Sequence, residues 1–375
     1  MQKKTSVLRL GTLASTIALT FSPALSYADS FTQTNLVSDV PGLAATTDPN
    51  LKNPWGVSFS ATSPFWVANQ ASGNSTLYDG AGNINPLVVT IPGSSTPPSG
   101  PTGTVFNAAT TGFNVNGTKA TFIFDNLNGS ISAWNGGTVA TVEATTPGAT
   151  FTGLAQNAAG TLLYAANTTG HINVFNSSWA PTTVSGGFTD PNAIAGFVPF
   201  NIQSVGANLV VTYAQLGPGG SPMPGGYVDE FDTNGNFIKR IATGGPLSAP
   251  WGVTLAPANF GSFSNDLLIG NFGNGEILAY DATTDMFLGT LDGTNGQPLT
   301  NDFLWSLETR TGGANDNTDA VYFTAGINNQ QDGLFGEITD VSEVPEPATI
   351  FGTATGLIAL ALLMRIKRNP LARSL

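Results

Sequence analysis

Asn53-Pro54-Trp55-Gly56-Val57, then Phe65-Trp66-Val67-Ala68-Asn69, then Gly73 and Leu77-Tyr78-Asp79, spell a short strand, an apolar strand, a glycine turn and a third strand. The succession returns at Pro250-Trp251-Gly252-Val253, Leu267-Leu268-Ile269-Gly270-Asn271, Gly275-Glu276-Ile277 and Tyr280-Asp281. Four looser copies centre on Phe122-Ile123-Phe124-Asp125-Asn126, Leu162-Leu163-Tyr164-Ala165-Ala166-Asn167, Leu209-Val210-Val211-Thr212-Tyr213 and Val321-Tyr322-Phe323-Thr324. Spacings of roughly 40 to 57 residues suit four-stranded blades arranged radially. Fourth strands are predicted at residues 87–91, 138–142, 237–241 and 286–291. The sixth copy stops after its third strand, and residues 31–37 are left over before the first. Pairing the two would close a six-bladed β-propeller with an N-terminal strand and leave no open sheet edge between the ends.

The rest of the body agrees. Its 375-residue chain holds 45 Gly and no Cys, Asn-Gly and Asp-Gly pairs punctuate the strands, and no long stretch repeats apolar residues every 3.6 positions. An all-β class follows. Disulfides, thiolate nucleophiles and sulfur-ligated metals are excluded. Five basic residues (Lys52, Lys119, Lys239, Arg240, Arg310) face 23 acidic ones between residues 29 and 343, a formal charge of −18. Nucleic acid is not an expected partner for such a surface.

The ends carry addresses. Lys3, Lys4 and Arg9 precede an apolar stretch over residues 10–25 and the small residues around Ser26-Tyr27-Ala28, the pattern of a signal peptide that a signal peptidase removes. Val344-Pro345-Glu346-Pro347 precedes seventeen uncharged residues (348–364) and the basic Arg365, Lys367, Arg368 and Arg373. That span is long enough for one transmembrane helix, with its basic tail cytoplasmic. The domain plan is therefore signal peptide 1–28, propeller 29–343 and C-terminal segment 344–375.

The tetrad, the apolar span and the basic cluster resemble a PEP-CTERM sorting signal. That resemblance implies a membrane protease of the exosortase type as partner and transient inner-membrane anchoring before release to the cell surface. A retained single-span anchor is the other reading. The blades resemble NHL and lactonase-like propellers, and Asn53 to Val57 with Phe65 to Asn69 resembles an uncharacterised bacterial propeller family associated with PEP-CTERM tails.

Candidate site residues follow from the repeat. Asn69, Asn126, Asn167 and Asn271 each end a second strand: they form either a ring of amides at the channel mouth or a set of side chains bonded to their own turns. Trp55, Trp251 and Trp305 sit on inner strands, where they either stack a sugar at the channel mouth or pack neighbouring blades. The lactonase resemblance implies a Ca²⁺ site of convergent carboxylates and amides. Asp125 suits it, but Ala68, Ala166 and Gly270 hold the equivalent positions. The acidic groups Asp229, Glu230, Asp232 and Asp316, Asp319 are a further place for loose Ca²⁺ capture or for solvated charge. His171 is the only histidine, and no Gly-x-Ser-x-Gly elbow accompanies it. No catalytic residue is assigned. The expected function is a cell-surface or extracellular-matrix binding or structural module for polysaccharide or a surface protein. A Ca²⁺-dependent hydrolase or lyase is the alternative.

Overall fold

The computed structural model describes residues 30–93, 99–221 and 223–341. The signal-peptide reading of 1–28 and the segment 344–375, with its tetrad and apolar span, lie outside the described residues. Among the described residues no helix is long and apolar enough to cross a membrane.

The repeats fold as six sheets, an all-β six-bladed propeller, antiparallel throughout except where Thr46–Thr47 pairs parallel to the edge of blade 6. Blade 1 runs outward from Pro54–Ser58 through Phe65–Asn69 and Asn74–Tyr78 to Ile84–Thr90. Blade 2 is Pro101–Phe106, Phe122–Asn126, Ser130–Trp134 and Thr141–Thr145; blade 3 is Phe151–Gln156, Leu162–Asn167, His171–Asn176 and Pro181–Thr182. Blade 4 is Val198–Val205, Asn208–Ala214, Tyr227–Phe231 and Phe237–Thr243; blade 5 is Pro250–Leu255, Leu267–Asn271, Ile277–Tyr280 and Phe287–Thr290. Blade 6 takes Leu304–Thr309, Ala320–Ala325 and Leu334–Asp340 from the end of the chain. Its outer partner is Phe31–Ser38, in antiparallel register from Phe31 opposite Asp340 to Ser38 opposite Leu334.

Strand alternation explains the blade packing. Successive side chains of a strand point to opposite faces, so in Phe65–Asn69 the residues Phe65 and Val67 enter a cluster with Tyr322 and Phe335 of blade 6. Trp66 and Ala68 enter one with Phe122 and Phe124 of blade 2 instead. Trp66 stacks on Phe122 with ring centroids 4.2 Å apart. Equivalent clusters fill the joints between blades 2 and 3, 3 and 4, 4 and 5, and 5 and 6. A second strand buried on both faces must be apolar throughout, which is why the repeat is easiest to see there.

At the axis the inner strands come close. A Cβ on Gly56 would lie 2.7 Å from the Thr102 carbonyl oxygen, and one on Gly103 would overlap the Leu154 backbone nitrogen. Glycine at these positions lets neighbouring backbones approach.

Candidate binding site in the central channel

One end of the channel is closed by aromatics. Trp55, Trp251 and Trp305 come from blades 1, 5 and 6 and form one buried cluster with Phe200 and Phe272. Trp55 and Trp305 stack at 3.4 Å between centroids, and Trp251 meets both edge-on. Each tryptophan follows by two residues a left-handed backbone position, Asn53 (φ 44°), Ala249 (φ 48°) and Phe303 (φ 54°). A non-glycine residue there is strained by about 1–2 kcal/mol, and the buried indoles that follow the kinks offset it. The Trp305 indole donates to Asn53 Oδ1 (3.1 Å) and that of Trp251 to the Thr152 carbonyl (2.9 Å), whereas Trp55 Nε1 is buried with no partner among the described residues. In blades 2 and 3 the same position is Thr102 and Thr152, both buried.

Beyond the plug lies a cavity of about 260 Å³ lined by Ser58, Thr104, Gln156, Gln203, Ser204 and Glu308, with Trp251 contributing to its wall. Its polar groups form a network. Ser58 and Thr104 share a hydroxyl contact of 3.0 Å; Gln203 Nε2 donates to Glu308 Oε1 (2.9 Å), and Gln203 Oε1 accepts from the Val253 amide (3.3 Å). Gln156 is held by the Ala108 amide and by Asn107 Oδ1, and Ser204 Oγ donates to the Gln156 carbonyl. Glu308 is the one carboxylate among the cavity's lining residues. Burial pushes it up to about 8, so it is largely a neutral acid at pH 7. The lining then offers hydroxyl, amide and carboxylic-acid groups, donors and acceptors together, and little formal charge.

The four repeated asparagines are buried and bonded at home. Asn69 Nδ2 donates to Asn74 and Thr76 side chains, and Asn126 Nδ2 to the Ser130 carbonyl and Ser132. Asn167 Oδ1 accepts the Thr150 and Thr169 amides; Asn271 Oδ1 accepts the Ser248 amide while its Nδ2 donates to the Pro246 carbonyl. None of the four lines the channel cavity. Asp125 lies fully buried, its Oδ1 accepting Thr102 Oγ1 (2.7 Å) and the Gly103 amide (2.5 Å). Burial raises it to about 6 against those lowering bonds.

The acidic groups are also engaged. Asp229 pairs with Arg240, which reaches Asp190 as well; burial raises Asp229 to about 6 and Arg240 opposes the rise. Glu230 faces Lys239, Asp232 accepts the Asn234 and Asn236 amides of its own turn, and Asp316 pairs with buried Arg310. Asp319 is exposed and accepts from Asn259. Among the described residues no group of three or more His, Asp or Glu side chains is placed to hold a metal ion. His171 is exposed, its Nδ1 2.8 Å from the Gly170 carbonyl.

The sequence reading missed Gln156, Gln203 and Glu308. A signal for two of them was present. Asn201 after Phe200 and Ser306 after Trp305 take the place that Gly56 has after Trp55, and two residues on, on the same strand face, stand Gln203 and Glu308.

No protein-family model matches the chain. Uncharacterized protein R648 of Acanthamoeba polyphaga mimivirus is 31% identical over 324 residues, covering 81% of this chain and 78% of its own. The chain belongs to the R648 family. Another mimivirus protein, uncharacterized protein L690, is 29% identical over 332 residues and covers 81% of this chain and 84% of its own. A solved structure of a protein of unknown function from Bacteroides thetaiotaomicron matches with a TM-score of 0.53 at 12% identity, over 84% of this chain and 77% of that one, a likeness of fold alone.

Membership of the R648 family corrects the kinship expected from the sequence. The relatives that match most of the chain are viral proteins, not the bacterial PEP-CTERM-associated propellers to which the repeat and tail were likened. The physical reason is one of information content. The tail resemblance rests on a tetrad, an apolar span and a few basic residues outside the described fold, and apolar spans with basic flanks arise wherever a membrane selects for them. What the blades shared with NHL and lactonase-like repeats reduces to strand alternation and glycine turns, which any propeller requires.

Proposed function

We propose that this propeller is a binding module whose open channel end takes a neutral, hydroxyl-rich group such as one saccharide unit of a polysaccharide. The observation that carries the reading is the blocked, polar cavity. Aromatics seal one end, and the remaining space presents Ser58, Thr104, Gln203 and a largely neutral Glu308 to whatever enters. A concave site with a few convergent donors and acceptors recognises hydroxyls by geometry, while an ion would find no opposite charge there. Export directed by residues 1–28 would give such a module an extracellular setting.

Isothermal calorimetry of the purified full chain against neutral oligosaccharides tests the reading. Gln203→Ala is expected to weaken binding about tenfold, the loss of one good hydrogen bond plus an unsatisfied partner. Wild-type affinity should fall above pH 8 as Glu308 ionises, and Glu308→Gln should abolish that fall. Binding indifferent to both variants and to pH would place the ligand elsewhere, and no binding to any neutral glycan would remove the proposal.

A further inference from the structure

Blade 3 is incomplete. Its fourth strand is the two residues Pro181–Thr182, where the fourth strands of the other five blades run for four to eight residues. The third strand, His171–Asn176, is paired along its whole length on the inner side, from Leu162 opposite Asn176 to Asn167 opposite His171. On its outer side the register holds only Val174 opposite Thr182 and Phe175 opposite Pro181. Over His171, Ile172 and Asn173 no outer strand lies alongside among the described residues, and Ile172 turns its N–H and C=O to that side.

That edge borders a second cavity, of about 440 Å³, outside the channel. Tyr213 and Tyr227 line part of it and stack on each other at 4.1 Å, with Phe197 against Tyr227 at 5.6 Å. Asp190 lines it too, and its carboxylate pairs with Arg240, whose other partner is Asp229. Two carboxylates around one guanidinium leave a formal surplus of one negative charge beside the gap. Arg240 lies 4.1 Å over the Tyr227 ring and Tyr213 covers another side, so these rings are largely occupied as stacking faces.

We propose that this gap is a peptide-docking groove, in which an extended segment of a partner protein carrying lysine or arginine pairs with His171–Asn173 as the missing outer strand of blade 3. An unpaired strand edge is a template for another strand, and main-chain bonds to it supply affinity without a dedicated side-chain code. The surplus charge at Asp190 and Asp229, on a body of formal charge −18, selects a cationic segment over an acidic one. The groove shares no lining residue with the channel cavity.

The test uses the full chain and two synthetic eight-residue peptides, one alternating Val with Lys and one alternating Val with Glu. The Lys peptide is expected to bind and to slow hydrogen exchange of the Ile172 amide, the one of the three that strand alternation turns to the outer side, at least about tenfold, as a new ladder bond would. Ala193→Trp, at an exposed lining position, should fill the groove and abolish binding without disturbing the core. Asp190→Asn should weaken binding about tenfold and reduce its salt dependence, and Glu308→Gln should bind like the wild type. Equal binding of the Glu peptide, unchanged binding by Ala193→Trp, protection that falls elsewhere, or occupation of the groove by a neutral oligosaccharide in place of the Lys peptide would each overturn the proposal.

Discussion

Glu308 shows how one side chain ties the site to the stability of the fold. Burial raises its carboxyl from the ordinary 4.5 to about 8, because the charged form is desolvated at the channel wall while Gln203 offers it a single donor. The stability contributed by keeping this acid neutral is complete below about pH 4.5, declines as the unfolded chain ionises there, and is lost as pH rises through about 8. Thermal unfolding of Glu308→Gln should therefore vary less with pH between 5 and 9 than that of the wild type, and the variant should melt higher at pH 9. A variant that melts lower than wild type at pH 9 would show that the carboxylate is stabilised by a partner there. The strand register places Glu308 on the channel face, but no local pattern in the sequence announces that its acid is desolvated there. Its neighbours Leu307 and Thr309 look like any strand, and the burial that raises its pKa is built from the inner strands of several other blades.

Among the elements, the inner strands carry a division of labour that the repeat half reveals. Trp55, Trp251 and Trp305 are legible as equivalent positions, but equivalence on a strand does not say whether three indoles line a surface or fill a space. The left-handed turns at Asn53, Ala249 and Phe303 and the smaller Thr102 and Thr152 opposite decide for filling. Trp305 is 1% exposed and touches Trp55, Trp251, Phe200 and Phe272. Trp305→Ala should cost about 3–5 kcal/mol in chemical denaturation, the range for emptying a large aromatic site. A loss below about 1 kcal/mol would mean that the plug contributes little to holding the blades. The asparagines were legible to the same extent. Their place at the ends of second strands follows from the repeat, while their bonds within each blade depend on the turn that each blade happens to carry.

At the scale of the whole molecule, the ring brings the two ends of the described chain together. Phe31–Ser38 pairs with Leu334–Asp340, Val37 and Leu36 enter the cluster of Tyr322 and Phe335, and Lys52 bridges Asp39 and Asp332. Deleting residues 31–38 should strip blade 6 of its outer partner, expose the edge of Leu334–Asp340 and leave a protein that unfolds well below the intact chain and aggregates on concentration. Adding the eight-residue segment back as a peptide should restore part of the lost stability in a concentration-dependent way. An unchanged melting temperature after the deletion would show that the pairing is dispensable.

The sequence by itself determined the class, the number of blades and the approximate strand positions, because those follow from local rules: apolar alternation with period two, glycine where the backbone turns left-handed, and repetition at a spacing one sheet requires. The tertiary structure alone decided what the channel is. Trp55 and Trp305, or Gln203 and Glu308, meet only after the ring closes, and whether a given inner residue plugs, lines or merely packs depends on neighbours contributed by other blades. Charge and solvation at the axis are sums over all six inner strands, and no one stretch of chain contains that sum.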